Sequence, residues 1–188
     1  MLLLQPQYFK FLKNRGNLLL ILILAICTSS CTSSRNISKT EMHEIAKASI
    51  RLGFDIERKD NHRLMIEAAN WLGVPYRYGG TTKYGVDCSG LTCNIYKNVF
   101  DITLSHNSQN QLDKDIKEKV KKRNLRQGDL LFFSPRRSRK KINHVGIYLK
   151  DGKFIHSSSS RGVRIDYIDT EYWQNQWVTG GRILKITP

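Results

Sequence analysis

The 188-residue chain contains no CxxC, no HExxH and no GxGxxG. Zinc and dinucleotide readings therefore start weak. Cysteine is scarce: Cys27, Cys31, Cys88 and Cys93 are too few and too unevenly spaced for a disulfide scaffold. Acid is missing from the start, since no Asp or Glu precedes Glu41 while Lys10, Lys13 and Arg15 do. The apolar run Leu18–Ile26 has nine residues, short of the roughly 20 that span a bilayer as a helix. What remains is 40% hydrophobic and 25% charged, which is globular composition and excludes a wholly disordered chain. Lys plus Arg outnumber Asp plus Glu by 31 to 16, so the formal charge is +15 and acidic partners are expected.

A basic flank, a short apolar core and the small segment Cys27-Thr28-Ser29-Ser30 make residues 1–30 a secretory signal. Thr28-Ser29-Ser30-Cys31 resembles a bacterial lipoprotein processing box. Ile26 is too bulky beside a cut at Cys27, so Cys31 is the expected lipidation site and the membrane anchor. Processing removes three basic residues and no acid, leaving 28 basic against 16 acidic, or +12, on the exported chain. Intracellular nucleic acid thereby becomes a weak partner.

Residues 31–59 read as a lipidated cysteine, a polar tether and a short helix, Thr40–Leu52, ended by Gly53. The main domain is expected over 60–188. Asp60 is a candidate N-cap for a helix with Leu64, Ala68, Trp71 and Leu72 on one face, stopped by Gly73 and Pro75. Tyr76–Asp87 is a glycine-containing loop, and Cys88–Phe100 a helix with Leu91, Ile95 and Val99 in a stripe. A short helix is expected within 105–123. Strands are expected at Asp129–Phe133, His144–Leu149, Lys153–His156, Gly162–Ile168 and Gly180–Ile186, with Tyr172, Trp173 and Trp177 packed on them. Helices first and strands second predict an α+β domain with N-terminal helices on a central antiparallel sheet.

Asp87-Cys88-Ser89-Gly90 stands where a loop enters a helix. A thiol there faces unpaired N–H groups and the positive end of the dipole, which favour thiolate. The small Ser89 and Gly90 leave room for a substrate carbonyl, and first-turn amides can hold an oxyanion. The base is expected in His144, opening a strand, and the orienting residue in His156, twelve positions on. The hairpin register tests this. A plain two-residue Asp151-Gly152 turn pairs positions summing to 303 and turns His156 away from His144. An odd loop or a bulge gives sums of 302, which sets His156 opposite Gly146 on the same face as His144.

Residues 71–93 (WLGVPYRYGGTTKYGVDCSGLTC), 125–133 (LRQGDLLFF) and 144–156 (HVGIYLKDGKFIH) together resemble the NlpC-type cysteine peptidases of bacterial cell walls. The resemblance covers about residues 62–186. It implies a papain-like α+β fold, cleavage of peptidoglycan stem peptides, Cys88 as nucleophile, His144 as base and His156 as third residue. It also implies that Tyr76 lines the site and assists the oxyanion, with Asp87 and Ser89 flanking the nucleophile. No metal or organic cofactor is implied, and a monomer is expected. The order of lipoprotein signal, linker and single domain is similar to small murein endopeptidase lipoproteins, facing the periplasm or cell wall. Leu104-Ser105-His106-Asn107-Ser108 departs from the family's Pro-Arg-Ser/Thr pattern, although Gln111 is retained. The rival readings are another cysteine acyl transfer (amidase, transpeptidase or lipid acyltransferase) and an inactive wall-binding lipoprotein.

The run Arg136-Arg137-Ser138-Arg139-Lys140-Lys141 reads either as a solvated loop or as a guide for an anionic polymer toward His144. As a guide, its neutralisation at Arg136, Arg137, Arg139 and Lys140 weakens sacculus binding and its salt sensitivity in a pull-down assay. Unchanged binding at low salt would make it a solvated loop.

Overall fold

The computed structural model describes residues 37–135 and 141–183. Cys31, with the lipidation expectation, and most of the basic run 136–141 lie outside the described residues. The domain is the unit beginning at Ser38.

Helix α1, Lys39–Leu52, is capped by the Ser38 hydroxyl on the Glu41 N–H and closed by Gly53 at φ 75°. The left-handed C-cap is the conformation that glycine adopts without a Cβ penalty. Helix α2, His62–Trp71, takes its cap from Asn61, whose side chain accepts from the Leu64 N–H at 3.0 Å. Asp60, the cap expected from sequence, is drawn into an ion pair instead. Its carboxylate sits 2.8 Å from Lys150 Nζ and accepts from Gln127 Nε2 at 2.6 Å. Leu64, Ala68 and Trp71 are buried, as their helical spacing requires. Helix α3, Cys88–Phe100, buries Leu91, Ile95 and Val99. The intervening loop holds a two-residue ladder, β1 (Thr81–Thr82) with β2 (Gly85–Val86). A single turn, α4 (Ser108–Asn110), continues into a wider turn over Gln111–Asp115.

The sheet has six strands in the order β3 (Glu118–Val120), β8 (Trp177–Arg182), β4 (Leu130–Phe133), β5 (His144–Lys150), β6 (Lys153–Ser158) and β7 (Gly162–Tyr167). Every neighbouring pair of strands within it is antiparallel. The fold is α+β, with one core joining the helices to Leu130, Phe132, Val145, Ile147 and Ile155. A second cluster, Leu131, Phe133, Phe154, Ile168 and Trp173, occupies the alternate positions along the strands. Trp173 belongs to helix α5, Glu171–Gln176, which therefore packs on the alternate face. Helix α5 and the β1–β2 ladder were not expected from the sequence, and two strands of the six-stranded sheet also differ from the reading. Strand β3 was not expected, because Glu118 and Lys119 are polar and exposed on an edge. Strand β8 starts three residues before Gly180, pairing Trp177 with Phe133 across a bulge.

Lys150 ties the β5–β6 turn to the connector between α1 and α2. Its Nζ bonds Asp60 Oδ2 and Glu57 Oε1, both at 2.8 Å. Burial, the largest influence, raises the Asp60 carboxyl, but the hydrogen bonds from Lys150, the Glu57 N–H and Gln127, with the Lys150 charge, together outweigh it and hold the group below its ordinary range. A carboxylate held low contributes stability above its unfolded pKa and loses it as the pH falls through the folded value. Lys150→Ala is therefore expected to cost about 3 kcal/mol at pH 7, as for a buried pair losing one partner. The cost shrinks below about pH 4, where Asp60 protonates in the unfolded chain. Urea denaturation at both pH values checks this.

Candidate active site

The loop before α3 is fixed from both sides. Gly73 and Val74 exchange backbone hydrogen bonds with Val163 of β7 at 2.8–2.9 Å. Ser157 of β6 donates its buried hydroxyl to the Val86 carbonyl at 2.7 Å. The loop thus delivers Cys88 to the β5–β6–β7 end of the sheet. Asp87 is the N-cap of α3. Its Oδ1 accepts from the Gly90 N–H at 2.6 Å and the Ser89 hydroxyl at 3.0 Å, and its Oδ2 from the Gly79 N–H at 2.9 Å. His106 Nε2 lies 3.3 Å from the same Oδ1. A Cβ at Gly90 would stand 2.2 Å from the Gly80 carbonyl oxygen, so its small size admits the loop rather than a substrate.

The second half of the site comes from the hairpin. Ile147 pairs with Ile155 and Tyr148 with Phe154, both summing to 302, while Lys150 pairs with Lys153. The register shifts between Tyr148 and Lys150, which leaves Leu149 as the extra residue. Asp151 (φ 49°) and Gly152 (φ 75°) close a tight turn beyond it. The bulge supplies the condition set by the sequence argument, and His156 stands opposite Gly146. His144 Nε2 is 3.0 Å from His156 Nδ1. Gly146 makes room for this: a Cβ there would meet Phe154 Cδ2 at 2.7 Å and His156 Cβ at 3.2 Å.

A cavity of about 860 Å³ opens at this point. Cys88, His144, His156 and Tyr76 line it, with Arg161, Arg164 and four consecutive serines, Ser157–Ser160. Of the sequence-named site residues, the structure brings Cys88, His144, His156 and Tyr76 together. Asp87 and Ser89 are buried under the first turn of α3 and are not among the lining residues, so they shape the nucleophile's support. Gln111 is fully buried and donates to the Ser105 carbonyl and the Thr92 hydroxyl at 2.9 Å, fastening segment 105–111 to α3. Cys93 is half-buried beside it. Among the described residues, no cluster of three or more His, Cys, Asp or Glu side chains is arranged to hold a metal.

Among the lining residues not read from the sequence, one contacts the histidine pair directly. Asp166 on β7 places Oδ2 at 3.1 Å from His156 Nε2. The same oxygen accepts from Trp173 Nε1 at 3.1 Å, and Arg164 Nη2 lies 2.7 Å from Oδ1. The available signal was the β6–β7 register, which pairs His156 with Arg164 and sets Asp166 two residues on, on the same face.

Burial dominates the electrostatics. It pushes the Cys88 thiol up to about 11, against the backbone N–H groups of Val145 and Ser89, while the Asp87 charge adds to the rise. It pushes His144 down to about 3, helped by His156. Trp173 stacks on the His144 ring, with centroids 5.4 Å apart, and Phe154 on His156 at 5.1 Å. The helix N-terminus alone argued for thiolate, but desolvation of the site outweighs it and opposes charge on both groups. Burial first, then Cys88 and Asp87, raise the Tyr76 phenol, which remains a hydrogen-bond donor at neutral pH. The arrangement sets a thiol at a helix start, a histidine pair and the Tyr76 hydroxyl around one cavity.

That set of groups is what a cysteine-nucleophile site with a histidine base requires. Residues 73–182 match the NlpC/P60 family, and the chain belongs to that family. It is similar to a probable endopeptidase NlpC homolog of Haemophilus influenzae, 38% identical over 61% of this chain and 58% of the relative. It is also similar to the murein DD-endopeptidase MepS/murein LD-carboxypeptidase of Escherichia coli, 37% identical over 65% of this chain and 63% of the relative. The crystal structure of an NlpC/P60 family protein from Bacillus cereus superposes with a TM-score of 0.61 at 34% identity, covering 69% of this chain and 42% of that one. The chain thus spans about three-fifths of the length of these two curated relatives.

A thiol held near 11 is mostly protonated at pH 7. Alkylation of Cys88 by iodoacetamide is expected to rise about tenfold per pH unit between pH 8 and 10, as the thiolate fraction grows. Mass spectrometry of the modified peptide reads the rate. A plateau already complete below pH 7 would reveal a preformed thiolate–imidazolium pair.

Proposed function

We propose that the chain is a peptidoglycan endopeptidase that hydrolyses an amide bond in a stem peptide or crosslink. The observation that carries this is Cys88, at the start of α3, sharing one cavity with the His144–His156 pair. The lining favours the substrate class, since Arg161, Arg164 and the serines suit a polar, carboxylate-bearing peptide better than an acyl chain. The relatives named above as endopeptidases support the same bond class.

Cys88 Sγ attacks the amide carbonyl while its proton passes to His144. The oxyanion is held by the Tyr76 hydroxyl and first-turn N–H groups. His144 then protonates the leaving amine and the acyl-enzyme forms. Water, giving a proton to His144, attacks the thioester and releases the carboxylic acid and the free thiol. The enzyme is exported and held to a membrane by lipid on Cys31, facing the cell wall. Among the described residues, no helix is long and apolar enough to cross a membrane.

Digestion of defined muropeptides by the full chain in detergent, beside Cys88→Ser, tests this reading. New peptides of hydrolysed mass are expected from the wild type and none from the variant. Products of higher mass would mean transpeptidation. Identical digests would remove the enzyme.

A further inference from the structure

We propose that Asp166 is a positioning residue that sets the tautomers of both histidines, so that His144 offers its Nδ1 lone pair as the base. This rests on the reading of Cys88 and His144 as nucleophile and base.

The hydrogen-bond chain runs inward from the carboxylate. Asp166 has Arg164 Nη2 beside Oδ1 at 2.7 Å and the indole N–H of Trp173 on Oδ2 at 3.1 Å. Burial raises this carboxyl, but the hydrogen bonds of His156 and Trp173 and the Arg164 charge outweigh it, so the group stays ionised at neutral pH. An ionised carboxylate only accepts. The His156 nitrogen 3.1 Å from Oδ2 is Nε2, and it must therefore carry the hydrogen. A neutral imidazole has one N–H, so His156 Nδ1 is an acceptor. His144 Nε2, 3.0 Å away, must then be the donor. The lone pair left on neutral His144 is at Nδ1. Each contact in the chain leaves one choice, and the first choice is made by Asp166. When His144 takes the thiol proton it keeps its Nε2–H bond to His156, and His156 its bond to the carboxylate. The new charge meets oriented dipoles ending on an anion.

A carboxamide cannot replace this group. With three donors converging on Asp166, an amide N–H would oppose either Arg164 or the His156–Trp173 pair.

Long-range proton–nitrogen NMR of the full chain carrying ¹⁵N-histidine tests the assignment. The wild type is expected to show hydrogen on Nε2 of both rings at pH 7. Asp166→Asn is expected to shift both rings toward the other tautomer. Iodoacetamide alkylation of Cys88 at pH 6, where free thiolate is scarce and His144 must take the proton, should fall about tenfold or more in that variant. Arg164→Gln, which removes charge but leaves the accepting oxygens, should keep the wild-type tautomers. A wild-type His144 protonated at Nδ1 overturns the proposal without any variant. So does an Asp166→Asn chain with unchanged nitrogen shifts and unchanged pH 6 alkylation. A wild type that shows the expected tautomers but leaves muropeptides intact would remove the peptidase and leave this assignment standing.

Discussion

The register of the β5–β6 hairpin is the constraint on which the site depends. Side chains alternate along a strand, so a shift of one residue moves His156 to the opposite face of the sheet. The extra residue at Leu149 absorbs the difference between the tight Asp151-Gly152 turn and the pairing of Tyr148 with Phe154. With that residue in place, His156 joins His144 beneath Trp173 and within hydrogen-bond reach. Gly146 is the necessary companion, since a side chain there would occupy the space of the Phe154 ring. His144 and His156 thus stand on strands of the sheet, which hold geometry better than loops.

The same packing that positions the histidines also dries them. Phe133, Phe154 and Trp173 surround the pair, and imidazolium is disfavoured in such surroundings. The site compensates at its far end, where Asp166 opposes the desolvation of His156. The result is a polar chain running from His144 through His156 to the charged pair of Asp166 and Arg164, at the edge of a cavity that remains polar. On the other side, the N-terminus of α3 and the Val145 N–H favour a thiolate that burial and Asp87 resist. Burial thus opposes charge on both the Cys88 thiol and the His144 imidazole.

Local patterns made much of this legible. The stripe Leu91, Ile95, Val99 and the small-residue start at Cys88 define α3 to its ends, because a helix repeats every 3.6 residues and begins where a side chain can cap it. Asp60 shows where local rules fail. It is a good cap in isolation, but a buried Lys150 some ninety residues away is a stronger partner, and Asn61 caps the helix instead. Asp87 and Ser89 show another limit. Adjacency to a nucleophile in sequence places them beside it in the helix, but the cap bond turns them inward and away from the cavity. Asp166 carries no local mark, since an acidic residue on a half-buried strand resembles any exposed one.

The amino-acid sequence by itself determined the elements and the reactive atoms: the helix that presents Cys88, the strands that carry His144 and His156, and the two registers open to them. These follow from short-range periodicity, capping and turn chemistry. The tertiary structure alone decided which register is realised, how Asp166 reaches His156, and that burial works against charge on the thiol and the imidazole. Those outcomes depend on burial and on partners distant in sequence, which appear only when the sheet closes over its core.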